Sequence, residues 1–499
     1  MVENAKIGAH SCVLNPKIKD AQPSFGGKYG RMFPNLAACE VDADSAVGLG
    51  RAASRMDATL PVTDEALANP RIPAGFTVFG QFVAHDIIAD RSLLSRHALA
   101  GELRNSRTPR LDLESVYGDG PVGNPFLYDV EDPDKLLLGV NVGGTPNDLP
   151  RNRQGVALIG DPRNDVHLLI GQMHVAFLKF HNAVVDHVRD DGLVPERESV
   201  FEAARQLARW HYEWVVVHEF LPLSCGEETV ADVLANGRRF YEPSYSLAIP
   251  GEFSDAAYRF GHSQVTPTYR LNDRVEVVTI FPDCLGKRPV PPERVLDWSL
   301  FFEVPGADHP PQPSRRIVAS LTHALIDLPE QIVGHTEVPE HHSLASRNLQ
   351  RGAALHLPSG EAIARQMGVE PLSAEECGLT EAGWTAETPL WYYVLKEAEV
   401  RADGAHLGPV GGRIVAEVLL GLIDANPGSY RSVEPNWPPT LPSDRDSTTG
   451  RFGFGGPGFF RGRGMSEIQR PQAPRSRLLS YPGPARPEEP HLDAAGAIL

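Results

Sequence analysis

The stretch best equipped for chemistry is Gly80-Gln81-Phe82-Val83-Ala84-His85-Asp86. Gln81 and His85 are four apart, so they share one face of a helix. Asp86 follows about 100° around the axis and serves a different neighbour. An imidazole beside an amide, sheltered in an apolar segment, can take a proton from a small bound molecule. The simpler reading is a satisfied core histidine next to a capping aspartate. A second set lies in residues 107–118, RTPRLDLESVYG. Thr108, Arg110, Asp112 and Glu114 alternate there, so an extended loop could aim several oxygens inward. Two carboxylates, a hydroxyl and a backbone carbonyl form a hard-oxygen set suited to calcium, and Asp86 makes it more complete. An ordinary surface loop is the plain alternative.

Three further groups stand out. Arg163, in IGDPRND, sits beside a proline at the mouth of a helix. It either reaches into a cavity or pairs with Asp161 or Asp165 on the surface. His262 follows Arg259 by three in YRFGH, on the same side of a helix. Asn348, in SLASRNLQRG, read alone is a buried amide that satisfies backbone groups. His167, His174, His181 and His187 could pass for a metal stripe. They read better as core and surface histidines, because no acidic partner falls at ligand spacing.

Helices must position these side chains. The apolar run around 76–88 is the first. A strong 3.6 period over 165–189 gives the second, and 201–221 a third, ended by Pro222. Residues 252–265 carry another helical signal, 343–352 a shorter one, and 411–424 a clean amphipathic helix. Strand-like alternation is scarce, so the fold class is mainly α. Residues 1–70 read as an irregular N-terminal arm, 71–433 as one large domain, and 434–499 as a Pro/Gly-rich tail, disordered or loosely docked.

A net charge of −17 argues against nucleic acid or an anionic membrane as the main partner. No run approaches 18 apolar residues, so no membrane span is expected. The N-terminus lacks a basic start and an apolar core, so no secretory signal is expected. The five cysteines form no CxxC pair and suggest neither a disulfide scaffold nor a zinc site. The expected location is the cytoplasm, with export lacking a cleaved signal as the alternative.

Four separated pieces together resemble the animal-type haem peroxidases of the peroxidase–cyclooxygenase superfamily. They are GQFVAHD, TPRLDLESVYG, GDPRND with its MH…FHN helix, and YRFGH with the later RNLQRG. The resemblance covers roughly residues 70–430. It implies a large helical domain around a buried haem. It also implies a reaction that cleaves hydrogen peroxide heterolytically and oxidises small electron donors, organic or halide and pseudohalide, through a ferryl intermediate. By that resemblance His85 is similar to the distal histidine, Gln81 to its companion, and Arg163 to the distal arginine. His262 resembles the proximal iron ligand, Arg259 a haem-contacting arginine, and Asn348 the hydrogen-bond partner of the proximal ring. Asp86, Thr108, Arg110 through its carbonyl, Asp112 and Glu114 match the calcium positions, with Glu114 replacing a smaller oxygen ligand of many relatives.

Two departures matter. Several relatives carry carboxylates that esterify the haem, one directly before the distal histidine and one three after the distal arginine. This chain has Ala84 and Val166 there, as in bacterial-like members without ester links, so a non-covalent haem b is expected. Asp165 alone is near enough to compete. His167 takes the place of a methionine that one chloride-oxidising relative links to haem, which weakens any expectation of chloride oxidation. The rival within the superfamily is a fatty-acid dioxygenase, whose radical tyrosine lies three before the proximal histidine. Here that position is Arg259, and Tyr258 lies four before. A haem-binding adhesion or interaction protein without turnover is the third alternative.

Overall fold

Pro73, in extended backbone, opens the helix that carries Gln81 and His85. The computed structural model describes residues 29–439 and 441, except 42, 59–65, 90–104, 195–198, 244–246, 276, 305–306, 381–383 and 385. The helices that matter for the site are α1 (Ala43–Leu49), α2 (Ala74–Ile87), α3 (Leu168–Asp190), α4 (Val200–Val215), α5 (Leu344–Ala354), α6 (Leu390–Ala402) and α7 (Pro409–Asp424). Strands form three two-stranded ribbons among the described residues, so the fold is mainly α as expected.

Helix α2 is apolar nearly all round, and ten of its residues from Ala74 to Ile87 are buried. Such a helix belongs inside a core. Phe82 stacks on Phe177 of α3 with ring centroids 4.4 Å apart. Phe79, Phe82 and Phe177 all meet Tyr212 of α4 edge-on. Offset and edge-to-face pairs add about 0.5–1.5 kcal/mol each beyond area burial. The three helices are therefore held at fixed mutual angles behind His85. Helix α3 is, by length and composition alone, long and apolar enough to cross a membrane, which the count of unbroken apolar runs did not anticipate. Of its most apolar window, 78% is buried inside this core.

Two expected helices take a different form. The helix beginning near 201 is capped by Ser199, whose side chain accepts the Glu202 N–H. It does not stop at Pro222. A π turn at Val216–Phe220 leads into a helical turn at Leu221–Cys225 that contains the proline. The wider turn accommodates a residue with no N–H and a bulky ring. The expected helix over 252–265 breaks at Ala256 into Gly251–Ser254 and a 3₁₀ segment, Ala257–His262. Asp255 causes the break, because its carboxylate is held by Arg259, Arg351 and the Ser254 hydroxyl. In a 3₁₀ turn residues three apart eclipse, so Arg259 and His262 still share an edge.

The described part of the N-terminal arm is stitched to this segment. Tyr29–Gly30 pairs in parallel with Ile249–Pro250, and the Met32 and Phe33 N–H groups donate to buried Glu252. Helix α1 packs on α5, with Gly50 so close that a Cβ would lie 2.3 Å from the Ser346 nitrogen. At the other end Trp437 is buried against Trp210 and His211 of α4. The expected tail lies outside the described residues from 442 onward, as does the arm before 29.

Candidate functional site

His85 faces its partners from the last turn of α2 and is 7% exposed. Its Nδ1 lies 2.7 Å from Asn164 Oδ1. Arg163, one residue earlier, sends Nη2 to the His85 carbonyl at 3.0 Å. Both grips come from one short 3₁₀ segment, Pro162–Asp165, which Asp161 caps by accepting the Arg163 N–H. Gln81 lies one turn before His85 and is half-buried. The surface alternative for Arg163 was half right. Its guanidinium does pair with Asp161, at 2.8 Å, but within the core rather than on the surface. Asp165 instead forms a two-pronged pair with Arg151, at 2.7 Å on each side.

Asp161 is shared. Arg107 Nε and Nη2 also donate to it, at 3.0 and 2.7 Å. Burial raises its pKa, but Arg163, Arg107 and His85 outweigh burial and hold the carboxyl well below its usual range. Asn164 in turn donates from Nδ2 to Nδ1 of His174 on α3, at 3.0 Å. His174 is fully buried, and burial pushes its pKa down to about 3, so it is neutral.

Packing brings α2 against the Ala257–His262 segment, and the Tyr258 hydroxyl donates to the Gly80 carbonyl at 3.1 Å. His262 Nδ1 lies 2.8 Å from Asn348 Nδ2 of α5. Arg259 fixes the direction of this bond. Arg259 Nη1 takes the amide oxygen at 2.6 Å, and a guanidinium can only donate, so the amide turns its NH₂ toward the ring. The ring proton then sits on Nε2. Binding a metal through Nε2 requires the proton to move and the amide to turn over. Arg259 also holds Asp255 at 2.7 Å. Trp391 of α6 donates to the Arg259 carbonyl and meets His262 edge-on, centroids 6.4 Å apart. Beside the ring the backbone borders open space, since a Cβ on Gly261 would meet nothing within 4 Å.

The loop after residue 105 departs from the extended course expected of it. Leu111 and Leu113 take left-handed backbone, φ 52° and 60°, so that both side chains are buried. The five expected calcium positions therefore split into two groups. Asp86, fully buried, accepts the Leu113 and Ser115 N–H groups at 3.0 and 3.2 Å and faces Asp112. Burial and Asp112 push Asp86 up to about 7, and burial and Glu114 raise Asp112. Glu114 is instead spent on Arg107, at 3.1 Å, and on Thr108. The Arg110 carbonyl accepts from Asn426. Among the described residues no group of three or more His, Cys, Asp or Glu side chains converges as a metal site, which also disposes of the histidine stripe on α3.

Sequence reasoning named Asp161 only as a surface partner of Arg163, and it missed Asn164, His174, Asp255 and Trp391 as neighbours of the candidate residues. Their one sequence signal was closeness to Arg163 or Arg259 for Asn164 and Asp255.

Known proteins resemble this chain in sequence and in fold. In sequence, residues 94–373 match the animal haem peroxidase family model, which is more than half of the chain. Heme peroxidase 2 of Caenorhabditis elegans is 32% identical over 167 residues, 31% of this chain and 23% of that protein. The chain thus matches under a quarter of that relative's length. In structure, peroxidase A from Dictyostelium discoideum superposes with a TM-score of 0.57 at 16% identity, covering 90% of this chain and 96% of that one. A fatty acid alpha-dioxygenase from Oryza sativa gives 0.57 at 14%, covering 84% and 81%. At such identities the two structures establish the fold alone. The family match rests on sequence, and its span includes Arg163, Arg259, His262 and Asn348: this chain belongs to the animal haem peroxidases.

Proposed function

We propose that the chain is a peroxidase that cleaves hydrogen peroxide and oxidises small organic or halide-type donors. The observation that carries this is the joint grip of Arg163 and Asn164 on His85, on a helix that packs against the segment carrying His262. The residues suit a non-covalent haem b, which the family implies. His262 would ligate it, and the open space at Gly261 lies beside that ring. Ala84 and Val166 offer no ester carboxylate, and Asp165 is committed to Arg151. The haem, when bound, supplies the redox chemistry that peroxide cleavage and donor oxidation need. His85 takes a proton from peroxide at Nε2 and returns it to the departing oxygen. Arg163, always cationic, stabilises the negative charge that develops there, with Asp161 holding it in place. Gln81 orients the small molecule in front of His85. Arg259 and Asn348 set the angle of the His262 ring, and the amide would turn over to free Nε2 for the metal. Calcium fits in part: Arg107 near Asp86, and Arg209 and Arg205 near Asp112, do not outweigh the burial of that pair, whereas Glu114 is paired directly with Arg107.

A second reading draws on Tyr258, whose hydroxyl reaches the distal helix, and on the dioxygenase fold match. It predicts oxygen uptake with fatty acid in the absence of peroxide.

One experiment separates the two. Haem-reconstituted protein should change its absorption spectrum with one equivalent of peroxide, then oxidise a dye, and should take up no oxygen with fatty acid alone. Arg163→Ala should keep the haem and lose about 100-fold or more in the peroxide reaction. A rate near wild type would overturn the role given to Arg163.

A further inference from the structure

We infer that Asn164, backed by His174, is the positioning residue that keeps the proton of the His85 ring on Nδ1 and so leaves Nε2 as the basic atom. The inference rests on the peroxidase reading, which makes Nε2 the atom that matters. A neutral imidazole carries one proton, and its tautomer follows from its hydrogen-bond partners. Asn164 Oδ1, at 2.7 Å from His85 Nδ1, can only accept. The amide could in principle turn over and offer its NH₂ instead, which would move the proton to Nε2 and make that atom useless as a base. His174 opposes this turn when its own proton sits on Nε2. Its Nδ1 lies 3.0 Å from Asn164 Nδ2 and in that neutral tautomer accepts from it.

Geometry gives the pair little freedom. Asn164 and His174 are both fully buried, so neither can exchange its partner for solvent. His174 sits on α3, edge-on to Phe82 of α2 with centroids 6.2 Å apart. Asn164 is held by its own backbone, whose N–H donates to the Asp161 carbonyl at 3.0 Å. A Cβ on Gly171, one turn into α3, would lie 3.3 Å from the Asn164 carbonyl, so that helix presses on the same segment. The row His85–Asn164–His174 thus runs from α2 through the 3₁₀ segment to α3. Every bond in it has one direction once the neutral His174 ring carries its proton on Nε2. Among the described residues that nitrogen lies buried with no hydrogen-bond partner, which leaves the Asn164 contact as the polar tie of the ring.

The test reads the rings directly. Full-length protein with ¹⁵N-labelled histidine rings is measured before and after loading with zinc protoporphyrin, which is diamagnetic. His85→Gln and His174→Gln identify the two signals. His85 should show a protonated Nδ1 and an unprotonated Nε2. The opposite tautomer, or an averaged pair, would overturn the inference outright, and this holds even if the substitutions below fail to fold. Asn164→Leu should average the two His85 nitrogens and slow the peroxide reaction about 10-fold or more. Asn164→Asp, which still accepts from Nδ1, should restore the tautomer and most of the rate. Unchanged His85 nitrogens in Asn164→Leu would overturn the role of Asn164. A wild-type protein with the expected tautomer that ignores peroxide would instead sink the peroxidase reading and leave the tautomer standing.

Discussion

Asp161 stands between two guanidinium groups, and the site depends on that single charge. Arg163 and Arg107 both donate to its Oδ2, and Arg107 carries the link on to Glu114 in the loop. Asp161→Asn would leave the two arginines facing each other across a neutral amide. Removing one partner from a buried pair costs roughly 3–5 kcal/mol. Here the loss should fall toward the lower end, since the arginine side chains keep 14% and 10% of their surface in water. Urea unfolding at pH 7 measures it. A loss below about 1 kcal/mol, the worth of an exposed pair, would mean that water already screens the cluster. Sequence reasoning found Arg163 and His85 because a guanidinium and an imidazole advertise their chemistry by type. It took Asp161 for a surface partner and passed over Asn164, because an acid and an amide beside an arginine have no period of their own. The partner of Asn164, moreover, lies 79 positions away.

Elements that end on local signals were legible. The Ser343 cap opens α5, and the run up to Asp424 closes α7 within two residues of expectation. Elements shaped by tertiary partners were not: the break at Ala256 depends on Arg351, almost a hundred positions on. Burial within α3 and α4 has a consequence for pH. His174, His181 and His211 are pushed down to about 3, about 4 and about 3, chiefly by desolvation. Unfolded, each would titrate near ~6.5. A depressed folded pKa gives stability that is present above the unfolded value and lost as pH falls toward the folded one. Each ring should therefore cost about 1.4 kcal/mol per pH unit between ~6.5 and its folded pKa. Asp86, Glu213 and Glu397, with pKa values raised to about 7, about 8 and about 7, contribute in the opposite sense. Comparison of His211→Phe with wild type cancels them. The variant's stability should fall less steeply from pH 6 to pH 4, by close to one proton's worth. Equal slopes would show that His211 is not kept neutral.

Across the whole molecule, the site exists only when distant parts have docked. His85, Arg163, His262 and Asn348 come from four separate segments, and the arm at 29–33 braces the third of them through Glu252. Asp86 is the point where several of these meet. It takes two N–H groups from the loop, and the Tyr212 hydroxyl of α4 lies 3.4 Å away. A cation at Asp86 and Asp112 would tie α2, the loop and α4 together directly beside His85. Hard-cation binding needs both carboxylates ionised, yet burial raises the pKa of each, helped by Asp112 beside Asp86 and by Glu114 beside Asp112. Calcium must compete with protons there, so its affinity should rise as pH climbs through about 7, the value for Asp86. Ligand at 100 times its dissociation constant adds about 2.7 kcal/mol. Calcium should accordingly raise the melting temperature more at pH 8 than at pH 6, and chelation should reverse the gain. Asp86→Asn should abolish both effects. A melting temperature indifferent to calcium at both pH values would mean that the pair keeps its proton and that no cation joins these elements.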